Sequence, residues 1–175
     1  QPFDYLFSIT HLAMVPGELL SLPVKGAINF HDGPLPHYAG LNTPAWAIMR
    51  GETNYAVTWH YMTDGIDKGD VLVQKPVDVA ADETTLTLNT KCFQAGIESF
   101  AELVGLLSTG GLAPRPQDMS DRMVFSKFDR PTAAGIMDWT KPAVELAAIV
   151  RAMDHGRYRN PIGTAKVRLH QKTHL

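Results

Sequence analysis

Gly26-Ala27-Ile28-Asn29-Phe30-His31-Asp32-Gly33-Pro34-Leu35-Pro36-His37-Tyr38-Ala39-Gly40 is the stretch on which the reading of this chain turns. Its first half, around Ala27 to Phe30, is apolar, too short for a helix and carries a β-branched and an aromatic residue, so it predicts a strand. After His31 the glycines and prolines at 33, 34, 36 and 40 exclude a helix over residues 32–42 and speak against regular ladder pairing there. Asn29 and His31 stand at i and i+2, so both side chains leave the same face of the strand as it ends. In open α/β sheets the crevice outside the strand ends is where ligands bind.

Working outward, Phe3 to Ile9 is a second run of strand length that precedes the turns at Pro16-Gly17 and Pro23. Downstream, Thr43-Pro44 has the form of an N-cap followed by proline at the first helical position, opening a helix over 45–50 that stops at Gly51. Ala56 to Met62 and Val71 to Gln74 predict two strands that hold the loop Thr63-Asp64-Gly65-Ile66-Asp67-Lys68-Gly69-Asp70 between them. The longest helix follows Asp82-Glu83. Its stripe Phe93, Ile97, Phe100, Val104 and Leu107 is the expected buried face, and Gly110-Gly111 ends it. Leu112 to Gln117, with two prolines, predicts an exit linker, followed by a short strand near 123–128, a turn at 136–139 and a helix over 143–153. The pattern is of the α/β class. It predicts one unit over residues 1–115, and a linker with the start of a further subdomain over 116–175. A strand-like run in the opening residues, without an initiator Met, leads us to expect a fragment of a larger polypeptide.

Composition narrows the function classes. The 175 residues hold 16 basic and 18 acidic side chains for a formal net charge of -2, without the basic excess or stripe of a nucleic-acid binder. The single cysteine, Cys92, excludes an internal disulfide and a Cys-rich zinc site, which makes the cytoplasm the expected compartment. No apolar run reaches the roughly 20 residues that span a bilayer.

Three polar residues stand out for chemistry: Asn29, His31 and Asp67, the last in the glycine-rich loop between two strands. An amide donor can stabilise an oxyanion, an imidazole can carry a proton and a carboxylate can orient the ring, a set suited to acyl chemistry. None of the serines sits in a Gly-x-Ser-x-Gly context and Cys92 lies within a helical pattern, so the attacking group would come from the substrate or from water. Taken singly, Asn29 reads as a turn residue, His31 as a satisfied polar group and Asp67 as an Asx-turn. The spacing of His31, His37 and His60 matches no compact zinc motif, and Asp64, Asp67 and Asp70 lack the acidic residue that closes a calcium loop, so no metal is expected.

The stretch from Gly26 to Gly40 resembles the core motif of the 10-formyltetrahydrofolate-dependent formyltransferases. A second motif of that family, Gly-Val-Thr-x-His followed by Gly-x-Asp-x-Gly-Asp, is matched by Val57-Thr58-Trp59-His60 and by Gly65-Ile66-Asp67-Lys68-Gly69-Asp70. The 38 positions from Asn29 to Asp67 fit the family spacing. The resemblance implies a Rossmann-like formyltransferase fold, here without the family's opening half, and assigns Asn29, His31 and Asp67 to its catalytic triad. The co-substrate it implies is 10-formyltetrahydrofolate, with its pterin near Leu35 and Pro36 and against the backbone of Trp59, His60, Asp64, Gly65 and Ile66. The other substrate would be a small or carrier-bound primary amine: an aminoacyl group on a carrier or tRNA, or an amino sugar.

This chain has Asp32-Gly33-Pro34 where the commoner motif has Ser-Leu-Leu. That form resembles the formyltransferase domains of nonribosomal peptide synthetases more than the methionyl-tRNA enzymes, and tRNA is not the favoured acceptor. The same triad would serve a 10-formyltetrahydrofolate hydrolase, and a non-catalytic folate-binding or module-docking domain is the reading from a different class.

Overall fold

In the computed structural model, which describes residues 1–169 and, by backbone, 172–174, the chain runs in the following order. First come β1 (Tyr5–Ser8), α1 (Gly17–Leu20), β2 (Gly26–His31), β3 (Tyr38–Gly40), α2 (Thr43–Met49), β4 (Asn54–Tyr61) and β5 (Val71–Asp78). Then follow α3 (Thr85–Thr109), β6 (Met123–Phe125), a 3-10 turn (Thr132–Gly135), α4 (Ala143–Ala152) and the hairpin strands β7 (Val167–Leu169) and β8 (Lys172–His174). The main sheet is mixed, in the order β1-β2-β4-β5. β1 and β2 are parallel, which requires the crossover through α1, whereas β4 and β5 form an antiparallel hairpin closed by residues 62–70.

The β2–β4 register decides what each face of the sheet carries. Asn29 lies opposite His60 and Phe30 opposite Trp59, so the polar pair goes to one face and the aromatic pair to the other. On the aromatic face the ring centroids of Phe30 and Trp59 are 5.0 Å apart and those of Trp59 and Phe100 are 5.3 Å apart. Nε1 of the buried Trp59 donates to Ser99 Oγ at 2.9 Å. The indole thereby satisfies its one donor inside the core that α3 covers.

α3 packs Phe100 and Leu107 of the predicted stripe against the core, but otherwise turns a smaller-residue face to the sheet. Its buried positions are Thr85, Leu88, Cys92, Ala95, Gly96, Ser99 and Leu103, whereas Ile97 is 70% exposed and Phe93 and Val104 are also exposed. The cause is the aromatic layer beneath. A Cβ on Gly96 would lie 2.6 Å from the Phe30 ring, so only small side chains let the helix approach. Thr84 caps the helix reciprocally with Thr87, and Gly110 ends it at φ 71°.

Three further expectations change. Tyr38–Gly40, inside the proline-rich stretch, forms the short strand β3, paired in parallel with β6. Gly40 has φ 93°, and a Cβ there would meet the Phe125 carbonyl oxygen at 2.1 Å, so this contact needs glycine. The N-terminal residue flanking α2 is Asn42, while Thr43 sits inside the helix and donates to Asp32 Oδ1 at 3.1 Å. Residues 112–117 lie alongside β5, with Val71 and Arg115 exchanging backbone hydrogen bonds at 2.9 Å. The later segment also packs back on the sheet body: Met153 and Ile162 meet Ala45 of α2, and Thr85 Oγ1 donates to the Ala152 carbonyl at 2.7 Å.

Candidate active site

The end of β2 presents Asn29 and His31 beside the mouth of the β4–β5 hairpin. His31 is 5% exposed. Its Nε2 lies 2.5 Å from the Tyr38 carbonyl oxygen, which can only accept, so Nε2 carries the proton. Nδ1 is 3.7 Å from Asp67 Oδ2 and 4.0 Å from Asp32 Oδ1. Acceptor oxygens thus face both nitrogens of the ring.

His60, the cross-strand partner of Asn29, joins the group. Its Nδ1 donates to the Tyr61 carbonyl at 2.8 Å, while Nε2 lies 3.2 Å from Asn29 Nδ2 and 3.4 Å from Asp67 Oδ1. Asn29, His31, His60 and Asp67 therefore form one connected polar cluster.

The loop carrying Asp67 is held from several sides. Asp67 itself has φ 46°, a left-handed conformation that aspartate tolerates better than most residues. Gly40 N–H donates to Asp67 Oδ2 at 2.8 Å, and Gln117 Nε2 donates to the carbonyls of Asp67 at 3.0 Å and Gly69 at 2.6 Å. The Arg122 guanidinium donates to the Ile66 carbonyl. Burial pushes the Asp67 pKa up, but the His60 hydrogen bond, the His31 charge and the Gly40 N–H outweigh it and hold the carboxyl well below the usual carboxylate range.

A second brace holds the Gly33–Leu35 loop against β4. Thr58, fully buried, donates to the Gly33 carbonyl at 2.7 Å and accepts from Leu35 N–H at 3.3 Å and from Gln74 Nε2 at 2.9 Å. Gln74 Nε2 also reaches the Leu35 carbonyl at 3.0 Å. These bonds fix the loop that brings the Tyr38 carbonyl to His31.

The polar cluster, though not its braces, lies on the wall of one cavity of about 890 Å³. Asn29, His31, Asp32, His60 and Asp67 line it together with Gly65 and Ile66, the segment 10–15 and residues 125–128. Of the residues singled out from sequence, the structure brings Asn29, His31 and Asp67 together and places His60, Gly65 and Ile66 on the same cavity. Leu35 is buried under its loop with Ala39 and Val71, Trp59 belongs to the aromatic core, and Pro36 and Asp64 lie off the cavity wall. Sequence reasoning missed Thr58 and Gln74 as braces and His60 as the link between Asn29 and Asp67. It also missed Gln117, which carries no local signal because its partners are about fifty positions earlier.

A sequence profile described as formyl transferase matches residues 3–104. The chain belongs to the formyl transferase family. Its members are transferase enzymes, and solved structures share the formyltransferase fold. A 4-N formyltransferase from Francisella tularensis superposes with a TM-score of 0.81 at 22% identity, over 97% of this chain and 68% of that one. An N-formyltransferase from Helicobacter canadensis, solved with folinic acid and dTDP-3-aminofucose, gives 0.67 at 24% identity, over 71% of this chain and 46% of that one. HypX from Aquifex aeolicus, solved with tetrahydrofolic acid, gives 0.75 at 20% identity, over 97% and 28%. This formyltransferase chain thus spans about two thirds of the first of these structures and less than half of the other two. Among its described residues no helix is long and apolar enough to cross a membrane.

Proposed function

We propose that this chain carries the catalytic centre of an N-formyltransferase that moves a formyl group from 10-formyltetrahydrofolate to a primary amine. The observation that carries the reading is the convergence of Asn29, His31 and Asp67 on one cavity, with Asp67 held as a carboxylate. The amine attacks the formyl carbon and the carbonyl oxygen becomes an oxyanion. The Asn29 amide and the His31 ring, oriented by Asp67, stabilise that oxyanion. When the bond to N10 breaks, its electron pair stays on nitrogen, which takes up the proton that the attacking amine loses; the His31–Asp67 pair mediates this transfer.

The folate occupies the part of the cavity between segment 10–15 and the loop at Gly65 and Ile66. Folinic acid and tetrahydrofolic acid in solved relatives support folate as the co-substrate. The acceptor is a small or carrier-bound amine; the near-neutral charge weighs against tRNA. Residues 1–115 supply the catalytic unit, and 116–175 lead towards a further one while bracing the Asp67 loop through Gln117 and Arg122.

The test is product analysis with 10-formyltetrahydrofolate labelled in the formyl carbon and the full-length protein. Label recovered in a formylated amine supports transfer. Label recovered only as formate with every amine identifies a hydrolase, and folate binding without turnover identifies a binding module.

A further inference from the structure

The proposed transfer leaves one step without a group to perform it. At neutral pH an alkyl amine is an ammonium ion, with a pKa near the ~10.4 of a lysine side chain, and cannot attack until it loses a proton. His31 is poorly placed to take that first proton, because its Nε2 already donates to Tyr38; its Nδ1, which faces Asp67, serves the later transfer to N10. Asp67 is equally committed, with Oδ2 accepting from Gly40 and Oδ1 facing His60.

Asp32 differs on each count. It and Asp67 are the two carboxylates among the residues lining the cavity. Its side chain is 35% exposed against 13% for Asp67. Oδ1 accepts from Thr43 Oγ1 at 3.1 Å, which fixes the carboxylate, while no hydrogen bond among the described residues claims Oδ2. The groups facing it are the His31 ring at 4.0 Å, the Thr43 hydroxyl, and behind it the Tyr55 phenol and Cys92 thiol. Burial pushes the Tyr55 and Cys92 pKa values up, and the Asp32 charge raises both further, so both stay neutral beside it.

We propose that Asp32 is the carboxylate that receives the acceptor's ammonium group and removes its first proton. The inference rests on the formyl-transfer reading above. The ammonium gives one proton to Asp32, which passes it to water at its exposed edge. The freed lone pair then forms the new carbon–nitrogen bond as the formyl carbonyl electrons move to oxygen, and the bond to N10 breaks afterwards. Asp32 acts on the acceptor, whereas Asp67 acts on His31.

The experiment compares wild type, Asp32→Asn and Asp32→Glu in the full-length protein, with methylamine, glucosamine and an aminoacyl-pantetheine as acceptors, from pH 7 to pH 10. The expected loss in kcat/KM for Asp32→Asn is about a hundredfold at pH 7, in the range of a missing general base. It shrinks as rising pH supplies free amine. Asp32→Glu recovers part of the activity, and both variants bind 5-formyltetrahydrofolate as wild type does, which shows that they fold. A loss of the same size at every pH, or none at all, overturns the proposal. Label appearing only as formate with every amine in wild type removes the transfer reading itself, and the role of Asp32 with it.

Discussion

Replacing Gly33 by alanine tests the loop geometry at a single atom. The added Cβ would lie 2.8 Å from His31 Nε2, 2.8 Å from the Tyr38 carbonyl oxygen and 3.0 Å from Thr43 Oγ1. It would wedge into the hydrogen bond that orients the His31 ring and press on the hydroxyl that fixes Asp32. None of these atoms is the far end of a flexible side chain, since Thr58 and Gln74 hold the loop from behind. Overpacking a filled interior costs about 1–3 kcal/mol. Losing the His31–Tyr38 hydrogen bond adds about 1 kcal/mol. With partial relaxation about 3 kcal/mol is expected, which lowers the melting transition of a unit this size by roughly 6–12 °C. The measurement is thermal unfolding of the full-length Gly33→Ala protein, paired with its single-turnover rate of formyl transfer. A melting point and rate both equal to wild type would show that the loop yields freely and that the Tyr38–His31 contact does not govern the site.

Two more outcomes follow from the same geometry. Gln117→Ala removes two hydrogen bonds that hold the Asp67 loop, each worth about 1 kcal/mol, and lowers kcat more than it raises the KM for the amine; steady-state kinetics with unchanged kcat would contradict this bracing. The Asp67 carboxyl is lower in the folded than in the unfolded protein. It therefore contributes stability that is fully present above its ordinary pKa and is lost as pH falls towards the folded value. The stability gap between wild type and Asp67→Asn thus narrows as pH falls below about 4, and a gap in urea titrations that stays constant down to about pH 2 would refute the assignment.

The site was more legible in the sequence than the packing around it. Asn29 and His31 could be placed together because strand alternation is a local rule, and Asp67 because glycines at 65 and 69 mark a hairpin loop. The α3 face was misread at Phe93, Ile97 and Val104, though not at Phe100 and Leu107, for a physical reason: hydropathy weights large residues. Against the layer of Phe30 and Trp59, however, the helix needs Gly96, Ala95 and Ser99 to come close. The β3–β6 pairing and the reach of Gln117 join segments far apart in the chain, so no window of sequence contains both partners. Asp32 stood out only as a departure from the commoner motif. Its bond to Thr43 and its place on the cavity wall appear only when the loop is folded.

The most direct test of the account is the single-turnover rate of formyl loss from 10-formyltetrahydrofolate in the full-length protein with Asn29, His31 or Asp67 replaced by alanine, measured alongside folate affinity. The expected result is a fall of at least about a hundredfold in each variant with folate affinity retained, as removal of an oxyanion donor or a proton carrier requires. Rates equal to wild type in all three, with folate still bound, would place the chemistry elsewhere and contradict the account.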